Sequence, residues 1–559
     1  MKICLPNKYH FPEPVRLSVL RVSIIILPMA VAALAAVSLG QSITWDTRNY
    51  HFYSGFAFLH KPLNYDFAPA QVQSFFNPLL SVLSYLMLEH LPSKLVAIIL
   101  GSVQGFNFYL VFRISQALFA KWENPLRFRI SLSCAATGCF GAAFITELGT
   151  TFGDNLTSIL ILAALLLLIR YLQSNADRKP VKDFIPLIAG ALLGFALALK
   201  LTVAIYVVSL GIAFAAFILY SKRPIRHFLF FLGAMSVSFL IFYGYWGYNL
   251  FREYRNPVFP YMNAVFQSPF YDPVNVTDAR FLPRTWEKTY FYPFFFAHKN
   301  TLVSENVMRD IRMALCYVAF FVLAAGTMIG LFKRFISGKN MPEERSKSPL
   351  LWFITTFVVI SYIAWQVQFS IYRYIIVLEL LAPVFLVLVL ERFIGKRSLV
   401  FSLSLVLNLV ICAWTVPANF GRGDFNDAYI EVEFPPIKDF RHCVILMGGS
   451  DPTAYIIPSA PVGTRFVRVA SNFLRPGRNA ELDDKIRDIL DHYDRKHTFV
   501  YFADNSEKEQ VSEQVGYYGV AVDEQNCAPV ESIAAPGGSL CATLDPDIDS
   551  YAPTPVSLK

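Results

Sequence analysis

Long apolar stretches constrain this chain more than any other feature. The sequence holds about eleven runs of roughly 17 to 25 mostly apolar residues, the length that a helix needs to cross the hydrocarbon core of a bilayer. In lipid the backbone N–H and C=O groups must form hydrogen bonds within each segment, so we expect helices. The predicted spans cover residues 18–40, 92–118, 128–147, 155–173, 184–199, 201–220, 228–250, 311–332, 350–368, 371–390 and 398–416.

The composition agrees with a polytopic α-helical membrane protein. Of the 559 residues, 55% are hydrophobic and only 16% are charged, which excludes an ordinary soluble domain of this length. The formal net charge of +8 could suggest a nucleic-acid partner, but the basic residues are spread over many short loops. We therefore expect membrane lipids and no nucleic acid. The first apolar run is longer than the core of a signal peptide, so we expect a retained helix.

The charges of the short loops predict the orientation of the helices. Lys and Arg in short loops mark the cytoplasmic side, and a cytoplasmic N-terminus makes every inside connection basic. These inside connections are 121–129, 170–183, 221–227, 333–347 and 391–398. The short outside connections carry few positive charges. We therefore predict an integral membrane protein whose N-terminus is cytoplasmic and whose last segment lies outside.

Two long loops belong to the outer face in this topology, at 41–91 and 251–310. The first includes an apolar stretch at 75–91 that is short and contains Pro78. If this stretch spanned the membrane, all later loops would change sides and the basic ones would face outward. We therefore predict a helix in the outer interface there.

The sequence WDTRNYH (45–51), directly after the first predicted span, contains the first candidate site. An acid at this depth is partly desolvated, which would raise the pKa of Asp46 and suit it to act as a general base. The alternative is a helix-end carboxylate in water or paired with Arg48. His51 is a candidate proton shuttle or substrate hydrogen-bond partner, and Tyr50 a candidate substrate contact, although both residue types also anchor proteins at membrane interfaces.

Further charged residues lie beside other predicted spans on the same face. Asp154 begins a helix, either as its N-cap or as a second acid that orients an acceptor or holds a cation. Lys200 interrupts two apolar spans and needs a polar partner or a route to the surface. Arg373 could clamp a phosphate, or could pair structurally with Glu379, which lies inside the next apolar run. We assign Asp154 to catalysis together with Asp46, and Lys200, Arg373 and Glu379 to substrate binding. One side of the membrane therefore collects the candidate chemistry.

The order of these features resembles the GT-C superfamily of integral-membrane glycosyltransferases, which includes protein O-mannosyltransferases and bacterial aminoarabinose transferases. The resemblance covers roughly residues 18–416: one helix, then a long outer loop with an acid near its start, here Asp46. The stretches RNPVFPYMNAVFQSP (255–269) and YRYIIVLELLAP (372–383) are also similar to segments of bacterial members. Asn256 lies in the first of them and is assigned to substrate binding on this likeness.

The resemblance implies transfer of a sugar from a polyprenyl-phosphate donor to a lipid, glycan or protein acceptor outside the membrane, usually with inversion, and with Asp46 as the general base. The donor would be a substrate rather than a cofactor. The sequence departs from the paired-acid version of the motif because Thr47 and Arg48 follow Asp46, which leaves metal use and acceptor class open. His, Cys and acidic residues lack metal-site spacing, so we expect no metal ligands.

Two other functions share some of these features. A transporter or flippase would favour discontinuous helices in two repeated halves and acids at mid-membrane depth. The sequence shows no convincing repeat, and its candidate acids lie near one surface. A polymerase or ligase of surface polysaccharide would share the lipid donor and differ in the size of the acceptor.

The composition becomes mixed after residue 416. Strand-like and helix-like segments alternate, which predicts a small soluble α/β domain at 417–559 on the outer side. These segments are 443–458, 465–470, 481–496, 498–505 and 517–522. Cys527 and Cys541 could pair in an oxidising compartment, while we expect Cys443 to stay a thiol. The sequence GGSDP (448–452) is too short and isolated to indicate a phosphate loop.

Overall fold

The computed structural model describes residues 13–174, 184–337, 349–436 and 442–544. The predicted basic connections 170–183 and 333–347 lie partly outside these ranges. Helices occupy most of the chain up to residue 414. They are α1 (Glu13–Leu39), α2 (Tyr53–His60), α3 (Leu79–His90), α4 (Ser93–Leu118), α5 (Asn124–Cys139), α6 (Ala142–Glu147), α7 (Asp154–Gln173), α8 (Phe184–Leu199), α9 (Ala204–Tyr220), α10 (Arg226–Tyr254), α11 (Asn263–Phe266), α12 (Trp286–Phe295), α13 (Arg312–Ser337), α14 (Pro349–Gln368), α15 (Ile376–Phe393) and α16 (Arg397–Trp414).

Nine helices within the described ranges are long and apolar enough to cross a membrane, against about eleven predicted spans. The prediction of a mostly helical chain with several apolar helices of membrane-crossing length is confirmed, and the two differences in number concern α8 and the predicted span 128–147. Helix α8 keeps its predicted bounds but has only 16 residues. The predicted span 128–147 is broken at Phe140 and Gly141 into α5 and the short α6.

A buried ion pair stabilises the break between α5 and α6. Interrupting a helix in a low-dielectric environment leaves backbone carbonyls and amides without partners. Arg312 donates to the carbonyls of Thr137 and Phe140, each at 2.8 Å. Asp310, paired with Arg312, accepts from the amide of Ala142 at 3.3 Å. The sequence did not reveal this break because Asp310 and Arg312 lie about 170 residues away from it.

Close helix contacts are made through two glycine pairs with GxxxG spacing, which lets backbones approach: Gly101 and Gly105 of α4 against α1, and Gly190 and Gly194 of α8 against α10. Gly101 and Gly105 place α4 against Ala36 and Ala32 of α1. The contacts show that α1 and α4 run antiparallel, so the chain from 40 to 92 leaves and re-enters the bundle at the same end. Helix α3, 12 residues long, therefore lies at that end of the bundle, and its predicted position in the outer interface stays a prediction.

Side-chain hydrogen bonds gather the basic connections at the opposite end of the bundle. Trp122 bonds to Glu391 (2.5 Å), Gln173 to the Ala117 carbonyl (2.6 Å), and Arg223 to the carbonyls of Tyr171 and Ser174 (2.9 and 2.7 Å). Arginine at a helix C-terminus satisfies carbonyls that have no donor within the helix. The described basic loops thus share one end, and the two long loops share the other.

The C-terminal segment forms a six-stranded sheet, which confirms the predicted sheet domain. Its strand order is β3-β7-β8-β6-β4-β5, with β4 parallel to β5 and β6 and the other pairs antiparallel. Cys527 and Cys541, opposite each other on β7 and β8, form a disulfide, while Cys443 stays a thiol. The elements are β1 (Gln41–Ser42), β2 (Arg422–Gly423), β3 (Val432–Glu433), β4 (Val444–Met447), β5 (Arg465–Arg468), α17 (Ala480–Leu490), β6 (Thr498–Phe502), α18 (Lys508–Gly516), β7 (Val522–Ser532) and β8 (Gly538–Thr543).

The first long loop binds the sheet domain directly. Phe67 pairs with the edge of β5, and β1 pairs with β2. The fully buried Arg468 donates to the carbonyls of Pro69 (2.8 Å), Gly448 and Gly449 (3.1 Å each). Burial lowers the pKa of Arg468 to about 10, so it stays charged at neutral pH. The carbonyls of GGSDP therefore face a guanidinium of the protein itself.

The glycine contacts predict a strong effect of a single methyl group. In Gly194→Ala the added Cβ would overlap the carbonyl of Met235 on α10, whereas at Gly233 on α10 it would meet open space. We expect Gly194→Ala to lose about 1–3 kcal/mol of stability, and Gly233→Ala to lose none. Thermal unfolding of both variants in detergent, followed by size-exclusion fluorescence, measures the difference. Equal unfolding temperatures would contradict the proposed α8–α10 contact.

Candidate functional site

Two buried ion pairs form the centre of the candidate site. Arg373 Nη1 lies 2.7 Å from Asp46 Oδ2, and Lys200 Nζ lies 2.6 Å from Asp154 Oδ2. All four side chains are at most 16% exposed. Four residues that lie far apart in the sequence thus meet where the long loops join the helices.

Two aromatic rings join the ion pairs into one cluster. The Arg373 guanidinium lies 4.8 Å from the centre of the Phe152 ring and 5.1 Å from that of Tyr374. Lys200 lies 5.3 Å from the Tyr374 ring and donates to the Phe152 carbonyl at 3.0 Å. Cations over aromatic faces gain electrostatic stabilisation. The Tyr374 ring therefore lies beside both cations, whereas Phe152 meets Arg373 with its ring and Lys200 with its backbone carbonyl.

Local backbone structure places each member of the cluster. Asp46 directly precedes a π-helical turn, Thr47–His51. Arg373 lies in a 3-10 turn, Tyr372–Ile375, ahead of α15. Lys200 adopts an extended conformation at the break between α8 and the next turn, so its side chain reaches Asp154 rather than solvent. These turns lie where apolar helices are interrupted. They direct the charged side chains of distant segments into one shared site.

Asp154 is the first residue of α7 rather than its N-cap. The N-cap position is taken by Gly153, whose φ of 89° lies in the left-handed region that suits glycine. The capping interpretation of Asp154 is therefore wrong, and its carboxylate binds Lys200 instead. A negative charge in the first turn also interacts favourably with the helix dipole.

Glu379 does not pair with Arg373, so this alternative is wrong. Its two carboxylate oxygens accept from the amides of Ala143 and Phe144, both at 2.9 Å, at the start of α6. A Cβ at Gly141 would overlap the same carboxylate. Glu379 is thus held against the first turn of α6 rather than placed in the cluster.

Asn256 also lies outside the cluster. Its side-chain amide donates to the Tyr261 carbonyl at 3.0 Å, and its Oδ1 accepts from the Val258 amide at 3.0 Å. The residue is fully buried within its own loop. In the structure Asn256 therefore shapes the loop 255–269, and its assigned contact with substrate stays a prediction.

His51 and Tyr50 line the cluster beside Asp46. His51 Nδ1 lies 2.7 Å from Thr151 Oγ1, and Thr151 in turn lies 3.2 Å from Thr47 Oγ1. Burial lowers the pKa of His51 to about 3, so the imidazole is neutral at neutral pH. Burial, then the charge of Asp46, raises the pKa of Tyr50, whose ring meets that of His51 edge-on at 4.2 Å.

The pKa of Asp46 is shifted in the direction opposite to that expected from the sequence. Burial is the largest single influence and would raise the pKa, but the charge and hydrogen bond of Arg373 help to bring it below the ordinary value. The expectation of a raised pKa is therefore wrong, because the partner lies 327 residues away in the chain. Asp46 is a carboxylate at neutral pH.

Glu147 is a member of the site that the sequence analysis missed. It is fully buried at the end of α6 and accepts from the amide of Asn155 at 3.2 Å. Burial, followed by the charge of Asp154, raises the pKa of Glu147 well above its ordinary value. The acid in TELGTTFGD, next to a run of small polar residues, was the available signal. The site thus contains a third carboxyl group, which favours the protonated form.

A narrow open cleft of about 260 Å³ reaches the cluster at Arg373. Its walls combine Thr146, near the end of α6, with Ser304 and Glu305 of the second long loop. Within the described ranges, no group of three or more His, Cys, Asp or Glu side chains could hold a metal ion. Arg373 is among the residues that line this cleft.

Comparisons of the chain with protein-family models, curated proteins and solved structures found no match. The likeness to GT-C glycosyltransferases therefore stays a prediction from sequence features. The geometry of the cluster is the basis on which a function is inferred.

The lowered pKa of His51 predicts a pH-dependent stability. An unfolded chain protonates this histidine near its ordinary pKa of 6.5, whereas the folded protein does so only near 3, so folding stability falls as pH drops through this window. We expect the unfolding temperature of the wild type to fall more between about pH 7 and about pH 5 than that of His51→Gln. His60→Gln, at an exposed histidine of the same segment, is the control. Parallel pH profiles for the wild type and His51→Gln would contradict the assignment.

Proposed function

We propose that this protein is a membrane glycosyltransferase that moves a sugar from a polyprenyl-phosphate-linked donor to a lipid, glycan or protein acceptor on the outer face of the membrane. One observation carries the proposal: the Asp46 carboxylate and the Arg373 guanidinium are in direct contact inside a buried cluster. A base and a phosphate-binding cation are the two groups that this transfer requires.

The transfer begins at the acceptor. Asp46 removes the proton of an acceptor hydroxyl, and that oxygen attacks the anomeric carbon of the donor sugar. The bond between this carbon and the phosphate oxygen breaks, and its electron pair stays on the departing polyprenyl phosphate. The charge that develops on the phosphate is stabilised by Arg373, with Lys200 as a second cation.

The ion pair couples the two halves of this reaction. Because Arg373 lowers the pKa of Asp46, a donor phosphate that takes over the guanidinium raises that pKa and strengthens the base. Once Asp46 has accepted the proton it is neutral and no longer competes for Arg373. The guanidinium then stays with the leaving phosphate, which gains negative charge in the same step.

The location of the cluster supports an outer-face reaction. The described basic loops lie at the opposite end of the helices, as expected for the cytoplasmic side. The domain next to the cluster contains the Cys527–Cys541 disulfide, a feature typical of oxidising compartments. Phe52 of the first long loop and Tyr455 of the domain share one hydrophobic core, so this domain covers the site region.

Lipid capture tests the role of Arg373. Purified wild type incubated with synthetic polyprenyl phosphate is expected to retain the lipid in native mass spectrometry, and Arg373→Ala to lose it, because the phosphate loses its bidentate partner. Arg478→Ala is the matched control, since Arg478 forms an exposed pair with Asp272 at 2.6 Å. Equal capture by wild type and Arg373→Ala would refute a donor site at this residue.

Sugar transfer tests the role of Asp46. Membrane vesicles with Asp46→Asn, supplied with lipid-linked sugars extracted from the producing cells, are expected to transfer about 10²–10⁴-fold less sugar than the wild type, because a general base is lost. Capture of polyprenyl phosphate by this variant should persist. Asp278→Asn removes an acid from the second long loop and should leave transfer unchanged. Full activity of Asp46→Asn would exclude it as the base.

A further inference from the structure

Helix α12 in the second long loop is kinked at Phe291 and exposes aromatic side chains on both sides of the kink. Five large side chains at helical spacing are solvent-accessible, while Tyr292 is fully buried on the other side. Apolar patches of this kind mark interaction surfaces. The exposed residues are Trp286 (66%), Tyr290 (62%), Phe291 (51%), Phe294 (37%) and Phe295 (41%).

The helix is attached to the end of a candidate membrane span. Pro293 inside α12 has no amide hydrogen, so the carbonyl of Thr289 loses its intrahelical donor. The side chain of Gln366, near the end of α14, donates to this carbonyl at 2.5 Å. The rings of Tyr292 and Trp365 also pack together, with centres 6.2 Å apart. These contacts hold α12 at the level where α14 ends.

A second span end supports the same level. Trp414, the last residue of α16, donates through Nε1 to the carbonyl of Ala297 at 2.7 Å, just after α12. The guanidinium of Arg309 lies 4.5 Å from the Trp414 ring. Because the ends of membrane-crossing helices mark the boundary of the hydrocarbon layer, α12 lies along that boundary with its aromatic face outward.

The charges around this face are mainly positive. Arg284, Lys288 and Lys299 are exposed, and Glu287 is the one acid within α12. Tryptophan and tyrosine prefer the headgroup region, and basic residues beside an apolar helix face attract anionic lipids. A protein partner would not explain why the face lies level with the span ends.

We propose that the exposed face of α12 binds the membrane surface, with its aromatic side chains among the lipid headgroups and its basic residues on acidic phospholipids. This surface is independent of the catalytic role of Asp46. It also sets the depth of the cleft at Arg373, because Val303, Ser304 and Glu305, which line the cleft, follow α12 in the same loop.

Depth-dependent fluorescence quenching tests the inference. The full chain is reconstituted into phosphatidylcholine vesicles, with or without phosphatidylglycerol, whose acyl chains carry bromine either near the headgroup or near the methyl end. The difference between the wild type and Trp286→Phe isolates the signal of Trp286. We expect quenching by the shallow bromines, loss of quenching with the deep ones, and stronger shallow quenching with phosphatidylglycerol.

Charge variants separate lipid binding from other contacts. Lys288→Glu should remove the preference for phosphatidylglycerol, whereas Glu287→Lys, a change of equal size and opposite sign, should increase it. The proposal would be overturned if no bromine quenched Trp286, or if deep bromines quenched it more strongly than shallow ones. If Trp286 became less quenched by lipid bromines as the protein concentration rose, the face would instead contact a second copy of the chain. That result would also overturn the proposal.

Discussion

The ion pair between Asp46 and Arg373 is the interaction on which the candidate site depends. Moving either charge out of water alone would be costly, and the pair is tolerated because each charge compensates the other at 2.7 Å. The pair also joins the end of the first helix to the start of α15, so loop and bundle must fold together. Since the Tyr374 ring lies beside both cations, the Lys200–Asp154 pair is part of the same cluster.

A second set of charges holds the framework around this pair. Arg312 and Asp310 bond the backbone groups left open between α5 and α6, and Glu379 bonds the next two amides of α6. Charges inside apolar helices often indicate substrate pathways. In this protein these charged side chains instead form hydrogen bonds with backbone groups that lost their partners where the helix is broken. The break turns α6 so that Glu147 at its end reaches Asp154, which adds a third carboxyl group to the site.

Several features of the fold could be predicted from residues near each other in the sequence. Apolar runs located most helices, and charged loops separated the two ends of the bundle. Asp46, Asp154, Lys200 and Arg373 were identified because a charge beside an apolar run is conspicuous. The partners were not predictable: Asp154 pairs with Lys200 rather than capping α7, and Arg373 pairs with Asp46 rather than Glu379. Even the direction in which the pKa of Asp46 shifts could be predicted only with knowledge of a distant guanidinium.

Hydrophobic length and periodicity are local properties of the chain, so the residues alone predicted the long apolar helices, the position of the long loops and the C-terminal sheet domain. Which charges meet, where a predicted span breaks, and that Glu147 belongs to the site became visible only in the folded arrangement. The physical reason is that electrostatic pairing and hydrogen-bond satisfaction depend on distances in space, and these partners are separated in the chain by up to several hundred residues.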